Sequence, residues 1–235
     1  MRGAAFDKLR PNGWLYGLLF HYLCKNQYLQ HLSNAYTAMV NRVDTKQEYI
    51  LGITGASGVV LGIRTLEVLQ ALRLPVHLIV SEGAKTTLRE ESGRTVEDLK
   101  RLATFFHDDR DLGASISSGS YVSPNVAAMI VSPCSMKSLA AIATGYTETL
   151  IARAADVVLK EGKRLALVVR ESPFTAIHLE QMLTLARSGV KIVPPVPPFY
   201  QKAQTVEELV DQIVGRALDQ IGLHTDLPNR WRGTG

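Results

Sequence analysis

Cysteine is nearly missing from this chain. Its 235 residues include only Cys24 and Cys134, too few for a disulfide framework or a thiolate zinc site. No uninterrupted apolar stretch approaches the roughly 20 residues that a spanning helix needs. The 18 Gly and 10 Pro are too few for a collagenous or low-complexity chain. A broad surplus of charge is missing as well. Residues 1–47 contain six basic residues (Arg2, Lys8, Arg10, Lys25, Arg42 and Lys46) and two acidic ones (Asp7 and Asp44), so they carry the whole net charge of +4. The rest is neutral, with 20 side chains of each sign. A neutral body has no footprint for a polyphosphate, which argues against nucleic-acid binding. What remains, at 46% apolar and 20% charged residues, is a globular protein with a sizeable core.

Residues 1–47 form a segment apart: basic, acid-poor, with no helix cap and no clear strand. They are expected to be a mitochondrial presequence. The alternatives are a secretory signal built on the apolar stretch from Trp14 to Cys24, a non-globular extension, or a start of translation assigned too early. Without a leader the chain would be cytoplasmic.

From residue 48 onward, short apolar runs alternate with amphipathic segments. The runs are Tyr49–Thr54, Val76–Val80, Ala127–Val131, Leu165–Val169 and Val190–Val193. The intervening segments at Val59–Leu72, Glu82–Glu91, Thr95–Phe106, Ser135–Gly145, Leu150–Lys160 and Ile177–Ser188 read as helices, and Thr205–Leu223 closes the chain. This pattern predicts a single doubly wound α/β domain over 48–235, a parallel sheet with helices on both faces.

In such sheets, ligands bind beyond the carboxyl ends of the strands. The unusual residues collect there: Gly55-Ala56-Ser57-Gly58, Ser81, Pro133-Cys134-Ser135-Met136-Lys137-Ser138, Arg170-Glu171, and Pro194-Pro195 with Phe199-Tyr200. The first turn can cradle an anion. Gly55, Gly58 and Gly62 miss each dinucleotide fingerprint by at least one position, although Glu82 stands where a ribose-binding acid would. A mononucleotide fits better. Asp108-Asp109-Arg110-Asp111 reads as a solvated charge run, and His107 beside it as a surface residue. No metal-ligand spacing is present. In the closing helix, Leu209, Ile213 and Arg216 share one side, which predicts a guanidinium on an apolar face in need of a partner.

The blocks ITGASG (53–58), ASISSGS (114–120), PCSMKSLAAIATG (133–145), RAADVVLKE (153–161), RESP (170–173), HLEQML (178–183), PPVPPFY (194–200), VGRALD (214–219) and RW (230–231) run collinearly through the body. Together they resemble the flavin prenyltransferases, and their wording is most similar to fungal members associated with phenylacrylic acid decarboxylation. The resemblance implies a Rossmann-like or flavodoxin-like fold. It also implies a metal-free reaction joining a dimethylallyl group, from dimethylallyl phosphate or pyrophosphate, to N5 and C6 of reduced FMN. The product, prenylated FMN, would serve a separate decarboxylase. The resemblance further implies that Gly55, Ala56, Ser57, Ser81, Ser135, Met136, Lys137, Ser138 and Arg170 bind FMN. Lys160, Tyr200 and Arg216 would bind the prenyl phosphate, and Trp231 would help close the pocket. Glu171 would be the acid–base residue, with Glu91, Ser57 and Lys160 as its catalytic companions. Arg153 matches an arginine that is either structural or on the phosphate side. The family's site is completed by neighbouring copies of a large homo-oligomer, commonly a dodecamer. Two rival readings remain: a flavoprotein decarboxylase acting directly on aromatic acids, and a non-catalytic FMN-binding module.

Overall fold

The computed structural model describes residues 47–227. The expected leader, apart from Gln47, and Trp231 lie outside these residues. Six strands, β1 (Glu48–Ile53), β2 (Val76–Val80), β3 (Phe105–Asp108), β4 (Val126–Cys134), β5 (Arg164–Val169) and β6 (Lys191–Ile192), form one sheet. The order is β3-β2-β1-β4-β5-β6, and every pairing is parallel. Tyr49–Ile53, Val76–Val80 and Leu165–Val169 are buried throughout, as continuous apolar strands covered on both faces must be.

The helices are α1 (Val59–Ala71), α2 (Glu82–Ser92), α3 (Val96–Lys100), α4 (Gly119–Asn125), α5 (Met136–Thr144), α6 (Leu150–Lys160), α7 (Ala176–Arg187) and α8 (Val206–Gln220). The chain leaves β1 toward β2 in one direction and β4 toward β5 in the other. Right-handed crossovers therefore put α1 and α5–α7 on opposite faces. After β6, α8 returns to pack on α1 and β5. Strand order reverses between β1 and β4, so a crevice for ligand opens above that pair.

The sequence misplaces one stretch. Thr95–Phe106 reads as a helix, but the helix ends at Lys100 and Phe105–Asp108 forms the edge strand β3. The capping box between Thr95 and Asp98 starts a helix as expected. The four-residue strand after it, partly exposed and half polar, is too short to show a period of its own.

His107 is not a surface residue. It is half-buried, and its Nε2 lies 2.9 Å from Nδ1 of His77, which is 1% exposed. Nε2 of His77 lies 2.8 Å from Glu48 Oε2, which also accepts from the Tyr121 hydroxyl at 2.7 Å. A carboxylate only accepts, so His77 donates to Glu48 through Nε2 and accepts from His107 through Nδ1. Burial pushes both imidazoles below their ordinary pKa, and for His107 the charge of His77 adds to it. A histidine depressed in the fold binds its proton more readily when unfolded. Its contribution is therefore intact above the unfolded value, about pH 6.5, and falls away below it. The thermal midpoint in a pH series should hold steady above about pH 7 and decline toward pH 5.5. A flat profile over that range would contradict this.

Candidate functional site

The five motifs line up along the carboxyl edge in the spatial order β2, β1, β4, β5, β6. Ser81 donates its amide to the Ile53 carbonyl (3.0 Å), and Arg170 donates its amide to the Cys134 carbonyl (3.1 Å). Thr54 joins the middle pair: its amide and hydroxyl both donate to the Pro133 carbonyl, at 3.2 and 2.8 Å. The turns after β2, β1, β4 and β5 are thus tied edge to edge.

Two glycines let backbones approach. A Cβ on Gly55 would stand 2.7 Å from the Gly83 carbonyl carbon and 2.8 Å from its Cα. A Cβ on Gly62 would stand 2.2 Å from the Ser132 carbonyl oxygen. The glycines that fail as a dinucleotide fingerprint therefore serve packing: Gly55 seats the first turn on the start of α2, and Gly62 seats α1 on the end of β4. Gly55→Ala should cost about 1–3 kcal/mol, the usual range for overpacking, seen as a lower denaturant midpoint. Gly83→Ala, whose Cβ would meet Gly55 Cα at 3.3 Å, should cost less. Equal costs would contradict the asymmetry.

Glu91, near the end of α2, reaches the first turn. Its Oε2 accepts from the amides of Gly58 (2.8 Å) and Val59 (3.0 Å), at the start of α1. Burial alone would raise this carboxyl. The hydrogen bond from Ser57, those two amides and the nearby Arg170 together hold it below the ordinary carboxylate range. Three predicted site residues, Ser57, Glu91 and Arg170, thus meet in one chain. Glu171 follows directly, half-buried, its Oε1 accepting from the Ser172 amide at 2.9 Å.

Ser81 and Ser135 cap the starts of α2 and α5, accepting from Ala84 and Ser138 amides, each at 3.3 Å. Ser135 also donates its hydroxyl to that of Ser138 at 3.1 Å. The amides of Met136 and Lys137, first in α5, have no acceptor within the helix. They follow Ser135, whose amide is held by Thr54 at the end of β1, so a phosphate there would find backbone donors and the positive end of a helix. These residues fit a flavin mononucleotide. Glu82, weighed above as a ribose ligand, instead pairs with Lys85 at 2.6 Å.

Of the other predicted residues, Lys160 does not reach this edge. Lys160 ends α6, four residues before β5 begins, and pairs with Glu161 beside Gly119. Glu171 lies past the far end of that six-residue strand, roughly 20 Å away at ~3.3 Å per residue. Arg216 is not on an apolar face. The buried side of α8 is Val210, Val214, Ala217 and Leu218, while the Arg216 side chain is 69% exposed and pairs with Asp219 at 3.5 Å. Leu209 and Ile213 only flank the core, so the helical angle was read from the border of the buried stripe. Tyr200 stands on the β6 side of the carboxyl edge, 58% exposed. Arg153 donates Nε to the Ser117 carbonyl at 3.1 Å and Nη1 to Asp156 at 3.0 Å.

Asp109 overturns the solvated reading of the acidic run. It is 9% exposed; its carbonyl accepts from the Leu150 amide at 2.7 Å and its Oδ1 from the Ile151 amide at 2.9 Å, so it holds the start of α6. Burial drives its carboxyl up, although the Ile151 amide opposes this. The partner lies some forty residues away, beyond the reach of spacing arguments. Cys134 is fully buried and its thiol is pushed up to about 12, which makes it inert. Among the described residues no group of three or more His, Cys, Asp or Glu is placed to hold a metal. None of the described helices is long and apolar enough to cross a membrane.

The flavoprotein family matches residues 37–218. A probable UbiX-like flavin prenyltransferase of Bacillus subtilis is 46% identical over 188 residues, covering 80% of this chain and 91% of the relative. The mitochondrial flavin prenyltransferase PAD1 of Saccharomyces cerevisiae is 47% identical over 207 residues, covering 88% and 84%. The chain belongs to the UbiX-like flavin prenyltransferase family. Its fold is similar to that of AnUbiX (PadA1), crystallised with FMN and dimethylallyl pyrophosphate, with a TM-score of 0.78 and 44% identity over 81% of this chain and all of the other. It is also similar to a dodecameric FMN-dependent UbiX-like decarboxylase from Escherichia coli O157:H7, with a TM-score of 0.76 and 47% identity over 80% of this chain and all of the other. The single six-stranded parallel sheet is the flavodoxin-like α/β architecture of these flavin prenyltransferases.

Proposed function

We propose that the protein transfers a dimethylallyl group from dimethylallyl phosphate or pyrophosphate to reduced FMN, making prenylated FMN for a separate decarboxylase of aromatic or phenylacrylic acids. The observation that carries this is the cluster of Ser57, Glu91 and Arg170 at the crevice edge, with Glu171 next in the chain, in a member of this family. A flavin-binding module has no need of Lys160, Tyr200 and Arg216 in addition. FMN supplies the atoms that accept the prenyl group.

The chain's own residues do the rest. Met136, Lys137 and the Ser135 and Ser138 hydroxyls hold the flavin's phosphate side, with Gly55 and Ala56 beneath it and Ser81 at its flank. Glu91 fixes the Ser57 hydroxyl, and Arg170 places positive charge over the same turn. Glu171 gives a proton to the leaving phosphate and later takes one from the flavin ring. Lys160, Tyr200 and Arg216 gather positive charge and hydrogen bonds around the departing phosphate. Lys160 and Glu171 sit at opposite edges of one sheet, so the site draws on more than one copy, in keeping with a homo-oligomer as large as a dodecamer. Residues 1–47 serve as a mitochondrial leader, and residues 48–235 form the catalytic domain. Removing residues 1–47 should leave a soluble, FMN-binding oligomer; loss of soluble protein would make the segment part of the fold.

One of the similar structures is named a decarboxylase, so the test must separate the two activities. The protein is incubated with reduced FMN and either donor, and the flavin's mass is read. A gain of one prenyl unit supports the proposal. Carbon dioxide released from an aromatic acid by the FMN-bound protein, with the flavin unchanged, overturns it in favour of direct decarboxylation.

A further inference from the structure

We infer that Thr54 is a positioning residue for flavin binding: its hydroxyl fixes the turn after β4 against the turn after β1, across the crevice where the flavin would lie. The inference rests on the proposed function for the identity of the ligand, but its geometry is independent of that reading.

Thr54 is fully buried at the end of β1. Its Oγ1 donates to the Pro133 carbonyl at 2.8 Å and accepts from the Ser135 amide at 2.7 Å. Both partners lie on the other side of the strand-order reversal. The regular ladder between β1 and β4 runs as far as Gly52 and Val131. Beyond that pair, the bonds made by Thr54 continue the connection. Its amide supplies a third, to the same Pro133 carbonyl at 3.2 Å.

The chemistry of the position is narrow. One atom must both donate and accept within a fully buried space, which among small side chains only a hydroxyl does. Ser135 is the cap of α5, with its hydroxyl on the Ser138 amide. Fixing the Ser135 amide therefore fixes the first turn of α5, and with it the Met136 and Lys137 amides. An unpaired buried amide costs more than a hydrogen bond is worth, so the turn would shift to find another acceptor. A phosphate cradle moved by a fraction of a hydrogen-bond length loses affinity without loss of the fold.

The experiment measures the FMN dissociation constant of Thr54→Val, Thr54→Ser and Thr65→Val, together with thermal midpoint and oligomer mass. Thr54→Val keeps the shape and removes both hydroxyl bonds; FMN affinity should fall at least tenfold. Thr54→Ser restores the hydroxyl and should bind within about threefold of the parent protein. Thr65 is also fully buried, but its hydroxyl bonds only to Leu61 within α1 at 2.7 Å. Thr65→Val therefore measures what generic loss of a buried hydroxyl does, and should leave FMN affinity unchanged. Parent-like FMN affinity in Thr54→Val overturns the inference. Equal losses in Thr54→Val and Thr65→Val also overturn it, since the effect would then be general destabilisation. If Thr54→Val does not accumulate as folded protein, Thr54→Ser decides: a tenfold loss there would assign the effect to the methyl group and overturn the role of the hydroxyl. Failure of the parent protein to bind FMN would instead defeat the proposed function, so the two failures are distinguishable.

Discussion

Glu171→Gln is expected to bind FMN as the parent protein does and to transfer the prenyl group roughly a hundredfold to ten-thousandfold more slowly, the usual range for losing a general acid–base group. The amide keeps the size and one acceptor of the carboxyl but can neither give up nor take a proton near neutral pH. Little else should change, because the side chain accepts from the neighbouring Ser172 amide, and an amide oxygen can accept that bond as well. Oxidised-FMN absorbance reports binding, and flavin mass against time reports transfer. An unchanged rate would move the proton transfer to the leaving phosphate or to Glu91. Glu91 is the weaker candidate because two backbone amides and Ser57 already engage its carboxylate and hold it ionised.

The second large effect is expected at Arg216. Its side chain is mostly exposed and pairs only loosely with Asp219 on its own helix, so truncation should cost the single chain little stability. If Arg216 holds a prenyl phosphate contributed to another copy's site, Arg216→Ala should weaken donor saturation by about 1.5–3 kcal/mol, the scale of a hydrogen bond to a charged group. The maximal rate should fall too, since charge on the phosphate grows as the C–O bond breaks. Arg216→Lys should recover only part of this, because an ammonium lacks the planar fork. Donor dependence and oligomer mass are read on the same sample. Altered assembly with normal donor affinity would give Arg216 a purely structural role and remove it from the site.

The parts of the fold that were legible in the sequence are those where local pattern and burial agree. The central strands are continuous apolar runs because the sheet is covered on both faces, and the segments read as starting at Thr95, Ser135 and Thr205 begin on the residue that caps each helix. Edge strand β3 was not legible, since four half-exposed residues carry no period. Nor were Asp109 and the pair His77–His107, whose partners come from distant parts of the chain. The carboxyl-edge motifs announced a site because each falls at a strand end. The strand pattern already put Lys160 before β5 and Glu171 after it, at opposite edges, but spacing along the chain says nothing about which copy a residue serves. Arg216 misled for a related reason: the apolar stripe of a helix has a border, and an angle within 60° of Leu209 and Ile213 falls outside it.

That separation sets the most direct measurement. Lys160→Ala and Glu171→Gln should each be nearly inactive alone. If every site takes its Glu171 from one copy and its Lys160 from another, oligomers assembled from an equal mixture of the two variants contain sites with both residues intact. Random assortment makes these roughly a quarter of all sites. The account predicts that the co-assembled mixture regains about a quarter of the parent's prenyl transfer to reduced FMN. A mixture as inactive as its parents, in oligomers shown by mass to contain both variants, would contradict a site shared between copies.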